Sequence, residues 1–86
     1  MISIDIDKTM ADAKRLRQLS SDADETESAL AGSQSAYREA WQGNAGSDFQ
    51  ELADRTRRQI SSFSAEAVQM ADILTNICSE FEAADK

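Results

Sequence analysis

Trp41-Gln42-Gly43-Asn44-Ala45-Gly46 is the one clear interruption in the helical pattern of this 86-residue chain. The single Trp opens the stretch, two of the three glycines lie within it, and the chain contains no proline. Glycine permits the sharp backbone reversals that other residues resist. On either side run long stretches with helical spacing, so two helices meet at this point.

Before the interruption, Leu16, Leu19, Ala23, Thr26, Leu30, Ser33, Tyr37 and Ala40 recur in alternating steps of three and four, a heptad-like stripe. Ile6, Met10 and Ala13 lie roughly a quarter turn off this stripe at about 100° per residue. Either the seam shifts there or those residues face something else. Ile2, Ile4 and Ile6 alternate with polar residues and read as a short extended lead-in, with Asp5 or Asp7 capping the first helix. Gly32, flanked by Ala31 and Ser33, is either a tolerated break costing roughly 1 kcal/mol relative to Ala or a point of close backbone approach.

After the interruption, the stripe is Ala45, Phe49, Leu52, Thr56, Ile60, Phe63, Ala67, Met70, Leu74, Ile77, Phe81 and Ala84. A repeat this close to 3.5 residues implies a gentle left-handed supercoil. Asn44 is the expected N-cap, and Asp48 sits where the helix dipole favours a negative charge. The expected fold is all-α. A single helical-hairpin domain spans 1–86, with helix 1 at about 8–41, a turn at 42–44 and helix 2 at about 45–84.

A turn centred on Gly43 and Asn44 places residue i near residue 87 − i. That puts Leu30 by Thr56, Leu16 by Met70, Tyr37 by Phe49 and Ile6 by Phe81. It also sets Arg15 opposite Asp72 and Arg58 near Glu27, exposed pairs worth a fraction of a kcal/mol each. Ile73 and Ile77 at one edge, with Ala53, Ala71 and Cys78 at the other, widen the second stripe to about 160°, more than one neighbouring helix covers. Two hairpins packed face to face would bury the remainder as a four-helix bundle. The expected partner interface is Leu16, Leu19, Leu30, Tyr37, Phe49, Leu52, Ile60, Phe63, Met70, Ile73, Leu74 and Ile77, and it would serve a homodimer or a heterodimer.

Composition narrows the function. Sixteen acidic residues against nine basic ones leave a net charge of −7. Nucleic-acid binding needs a basic face, and an interfacial membrane helix usually carries Lys and Arg, so both are disfavoured. No apolar run is long enough for a membrane span, and the N-terminus lacks the basic start and apolar core of a cleaved signal. One cysteine rules out an intrachain disulfide, and with aromatics at 6% of residues a modest core favours association.

No histidine is present to serve as base or metal ligand. Asp22, Asp24, Glu25 and Glu27 read as a solvated acidic face. Arg55, Arg57 and Arg58 read as a solvated basic spot, or as a dock for a partner's acids. Ser20 and Ser64 are among several serines without an activating base. Cys78 reads as a small buried hydrophobe. No catalytic residues, metal or cofactor are expected.

Trp41-x-Gly43 at mid-chain, with Ala45 and Phe49 following, resembles the defining region of the WXG family of small helical proteins exported by type VII secretion systems. The likeness extends over the whole chain in length and plan. It implies an export motif at Phe81-Glu82-Ala83-Ala84-Asp85, with Phe where the family has Tyr. The Phe-x-x-x-Asp form resembles small WXG-like partners of LXG toxins in Gram-positive bacteria. By that resemblance the chain is a targeting factor that binds the toxin's N-terminal helical domain and presents Phe81 and Asp85 to the secretion machinery. It would be cytoplasmic before export and then secreted or held at the cell surface.

The alternatives are a homodimeric secreted substrate acting on its own and a cytoplasmic coiled-coil adaptor. The plainer readings are that Trp41 and Gly43 plug and close the turn, and that Phe81 is the last core residue under Ile4 and Ile6; for Phe81 the export-motif reading is preferred.

Overall fold

In the computed structural model, residues 5–84 are described. They form two antiparallel helices, α1 (Ile6–Ala40) and α2 (Asn44–Ala84), joined by Trp41, Gln42 and Gly43. At 41 residues, α2 runs for about 60 Å. Asp5 caps α1: its carboxylate accepts the Lys8 amide at 3.0 Å, while its carbonyl accepts the Thr9 amide at 2.9 Å. Of the two expected caps the first is used, and Ile6 and Asp7 are helical rather than extended. Ile2 and Ile4 lie outside the described residues.

The turn is one residue earlier than expected. Asn44 is the first residue of α2, and the Gly43 carbonyl accepts the Ser47 amide at 3.0 Å, so Gly43 occupies the capping position. Asp48 then lies beyond the first turn of α2. Gly43 has a φ of 107°, the only positive φ among the described residues. Gly46 has a different burden. A Cβ there would fall on the Trp41 carbonyl oxygen and 2.7 Å from its carbonyl carbon. A Cβ at Gly32 would meet nothing within 4 Å, so no close backbone approach occurs there.

The earlier turn moves the register by three residues. Ser20 meets Ser64, Glu27 meets Arg57, Gln34 meets Gln50, and the Ile6 carbonyl faces the Cys78 thiol at 4.0 Å. Each pair sums to 84, as a turn centred on residue 42 requires. Ile6 therefore lies by Cys78, not by Phe81. Asp72 pairs with Arg17 at 3.0 Å instead of Arg15, and Glu27 with Arg57 at 2.9 Å instead of Arg58. The expected neighbours Tyr37 and Phe49 do touch, edge to face at 5.7 Å.

The seam is also rotated from the stripes read in the sequence. In α1 the buried residues are Ala13, Ser20, Ala23 and Gln34, with Ile6, Leu16, Glu27 and Leu30 half-buried between them. These positions form one unbroken heptad, so Ile6 and Ala13 belong to the same seam as Leu16. In α2 the buried residues are Gly46, Ala53, Ser64, Ala67, Ala71 and Cys78, again in heptad phase with half-buried Gln50, Arg57, Ile60 and Leu74. Ala53, Ala71 and Cys78, expected at an outer edge, are at the centre of the contact. The hairpin closes on small and polar side chains and leaves most of its large apolar ones outside.

Candidate functional site

Successive residues on a helix are about 100° apart, so residues one step past each seam position share a flank. Because the helices are antiparallel, that flank is common to both. Arg17, one step past Leu16, pairs with Asp72, one step past Ala71, and Arg17 also donates to the Thr75 hydroxyl at 3.3 Å. Residues one step before each seam position fill the opposite flank. These are Lys8, Asp12, Arg15, Leu19, Asp22, Thr26, Ala29 and Ser33 on α1, and Ala45, Phe49, Leu52, Thr56, Gln59, Phe63, Glu66, Met70, Ile73 and Ile77 on α2.

The α2 half of this second flank is mostly apolar, interrupted by Gln59 and Glu66, whereas the α1 half is mostly charged or polar around Leu19. Leu52 and Ile73 are each 57% exposed, Met70 46%, Phe63 44% and Leu19 43%. Phe49 and Ile77 are half-buried on the same side. Leu16, Leu30, Ile60 and Leu74 are half-buried seam residues. Of the residues expected in a partner interface, Leu16, Leu30, Ile60 and Leu74 thus face the other helix of the same hairpin, while Leu19, Leu52, Phe63, Met70 and Ile73 are exposed on this flank and Phe49 and Ile77 half-buried on it. Tyr37 belongs to the tip. Met10 and Val68 are exposed as well, but lie one step past Thr9 and Ala67, on the polar flank.

At the tip, Tyr37 and Trp41 stack with ring centroids 4.4 Å apart and planes 6° apart. Phe49 meets Trp41 edge to face at 5.5 Å. Such pairs add about 0.5–1.5 kcal/mol beyond the area they bury. Trp41 therefore braces the reversal while half of it stays accessible. At the open end Phe81 is helical and partly exposed. Asp85, the other half of the expected export motif, lies outside the described residues.

Between the helices run two polar clusters that sequence reasoning did not find. Ser20 and Ser64 share a buried hydroxyl hydrogen bond of 2.7 Å, and Ser64 reaches the Asp24 carboxylate at 2.7 Å. Gln34, 1% exposed, donates to Asp54 at 2.8 Å and to the Gln50 side chain at 3.1 Å. Its side-chain oxygen accepts from Arg57 at 3.1 Å, its backbone carbonyl accepts from Gln50 at 3.0 Å, and Arg57 also holds Glu27.

Asp24, Glu27 and Arg57, expected on solvated faces, therefore bridge the two helices. The signal that reveals Glu27 and Arg57 is seam phase, because Glu27 shares a heptad with Ala13, Ser20 and Gln34 and Arg57 shares one with Ser64; Asp24 lies one step past Ala23 and reaches in from the flank. Glu27, Asp54, Arg57, Arg58, Ser61 and Ser62 also border an open depression on this side. No group of three or more His, Cys, Asp or Glu side chains that could hold a metal occurs among the described residues.

A hairpin of two long helices, an aromatic-braced Trp-x-Gly reversal and an unpaired apolar flank agree with what a family comparison returns. The family model described as proteins of 100 residues with WXG matches residues 1–86. The chain belongs to the WXG100 family. Comparisons with curated proteins and with solved structures give no match.

Membership makes this WXG100 chain a small helical protein associated with type VII secretion. Among the described residues no helix is long and apolar enough to cross a membrane. Within the Trp-x-Gly signature, Trp41 supplies the aromatic brace and Gly43 the positive φ.

Proposed function

We propose that this WXG100 protein is a non-enzymatic targeting partner of an LXG toxin. In this reading the flank of Leu19, Leu52, Phe63, Met70 and Ile73 packs against the toxin's N-terminal helical domain, completing a four-helix bundle. Phe81 and Asp85 then form a Phe-x-x-x-Asp signal read by the type VII secretion machinery.

The observation that supports this most is the outward placement of the large apolar residues. Soluble monomers seldom expose a long contiguous apolar strip unless something binds it. On α2 the flank presents Phe49, Leu52, Phe63, Met70, Ile73 and Ile77, with Glu66 between Phe63 and Met70, which suits a helix-on-helix contact made chiefly by α2. Phe81 and Asp85 are four apart, hence on one face if the helix continues to residue 85.

Co-expression with the helical domain of an LXG toxin, followed by size-exclusion chromatography, tests the pairing. A co-eluting complex is the expected result. If the two elute apart and the small protein forms a dimer, the partner is a second copy. Its appearance in culture supernatant after deletion of every LXG gene would then establish a substrate exported on its own.

A further inference from the structure

The outward flank has a centre. Each of its cross-helix neighbours lies one step before a seam pair, so Leu19 is level with Phe63 as Ser20 is with Ser64. That is the only level of this flank, among the described residues, at which both helices present a large apolar side chain. To one side of it Arg15 is level with Glu66, and to the other Asp22 is level with Gln59. All four are exposed, and neither Arg15 nor Glu66 belongs to an ion pair among the described residues. Beyond these levels α2 carries Leu52 and Phe49 towards the tip, and Met70, Ile73 and Ile77 towards the open end.

We propose that Arg15, Asp22, Gln59 and Glu66 are a matched polar set that fits this flank to a second copy of the same chain, laid antiparallel with Leu19 and Phe63 at the two-fold axis. The spacing on both helices is symmetric about those two residues. Reversing α2 about Phe63 brings Leu52 over Ile73 of the second copy, Phe49 over Ile77 and Thr56 over Met70. The same operation reverses α1 about Leu19 and brings Arg15 over Asp22 of the second copy. Glu66 then meets Gln59 of the second copy. Each polar level holds one guanidinium, two carboxylates and one amide. Arg15 donates to Glu66 beside it and to Asp22 opposite, and the Gln59 amide donates to the remaining carboxylate oxygens.

A carboxylate in the middle of an apolar strip is costly to cover unless donors meet it. Here the chain supplies them, Arg15 from alongside and Gln59 from the second copy, so the self-pair leaves neither carboxylate unmatched. An isologous contact repeats each pairing, and both polar levels are satisfied by one operation. A slip of one turn would set Glu66 against an apolar residue and lose the match at both levels. The parallel self-pair fails at the open end, because it lays α2 over α1 of the second copy and sets Met70 on Asp12 and Ile73 on Lys8. The inference concerns the chain alone and does not rest on the toxin reading.

Sedimentation equilibrium of the full chain, alone and as variants, tests the set. The parent is expected to dimerise. Arg15→Glu gathers three carboxylates at each polar level, and Asp22→Arg sets two guanidinium groups face to face. Each variant alone is expected to dimerise about tenfold more weakly or worse, as like charges in a contact dictate. Mixed in equal amounts, the two variants bring opposite charges together at both levels, and the mixed dimer should form within about threefold of the parent affinity, the mark of direct coupling. A monomeric parent, undiminished variants, or a mixture no tighter than its components overturns the proposal. If either variant loses its helicity, disulfide formation decides, in chains carrying Cys78→Ala. Phe63→Cys is expected to couple to its own copy, and Leu52→Cys to couple to Ile73→Cys and not to itself. Coupling of Leu19→Cys to Phe63→Cys between copies, or no coupling at all, overturns it. The toxin pairing is judged separately by co-expression.

Discussion

A methyl group added at Gly46 would land on the Trp41 carbonyl, so Gly46→Ala must push apart the chain segments that form the reversal. A loss of about 1–3 kcal/mol is expected from such overpacking, read from urea melts followed by circular dichroism. Gly43 has open space around it but a φ of 107°. Gly43→Ala should cost about 1–2 kcal/mol through backbone strain alone. Gly32 has neither constraint and sits inside α1. Gly32→Ala should stabilise by roughly 0.5–1 kcal/mol, the helix-propensity difference. The three substitutions separate steric approach, backbone conformation and propensity within one melt series.

Between the helices, neighbouring arginines differ in their burden. Arg57 spans the seam to Glu27 and Gln34, and its side chain is 35% exposed. Arg57→Ala leaves the Gln34 oxygen and the Glu27 carboxylate without this partner. It should lower stability by about 1–2 kcal/mol, the cost of a part-buried polar group deprived of its bond. Arg58 is exposed, and Arg58→Ala should stay within about 0.5 kcal/mol of the parent. Equal effects from the two substitutions, measured by chemical denaturation, would contradict the register in which residues 27 and 57 meet. At this scale the expected Arg58–Glu27 pair was one residue out, because the turn centre was placed on Gly43 and Asn44 instead of Gln42.

The molecule as a whole is a thin hairpin in which no buried side-chain polar atom of the described residues lacks a partner, and in which α2 presents Leu52, Phe63, Met70 and Ile73 along one side. Charges placed on that side should separate folding from association. Leu52→Lys with Phe63→Glu removes two exposed apolar residues without touching the seam. The double variant should keep its helicity and melt within about 0.5 kcal/mol per exposed position. The complex with the partner domain should weaken by about 30-fold or more if either residue is a hot spot. Titration calorimetry or size exclusion checks the second part. A variant that unfolds instead would mean that these residues hold the hairpin itself together.

Much of this was legible in the chain. Two glycines and an asparagine after a lone Trp, in a sequence without proline, specify two helices and a reversal. The Trp-x-Gly tripeptide pointed to the family that the full-length match shows. The surplus of apolar positions on α2 also showed that a single neighbouring helix would not cover them. The choice of seam was not legible, because on α2 the large apolar residues Leu52, Phe63 and Met70 lie one residue out of phase with the small ones that pack, and reading by residue size follows the large ones. Only the packed structure shows that Gly46 lets the chain fold back against Trp41, that the helices pair where residue numbers sum to 84, and that Ser20, Ser64, Gln34 and Arg57 meet there. Periodicity along one helix fixes which residues share a face. Which face turns inward depends on contacts between residues as far apart in the chain as Ser20 and Ser64, and those exist only once the helices are side by side.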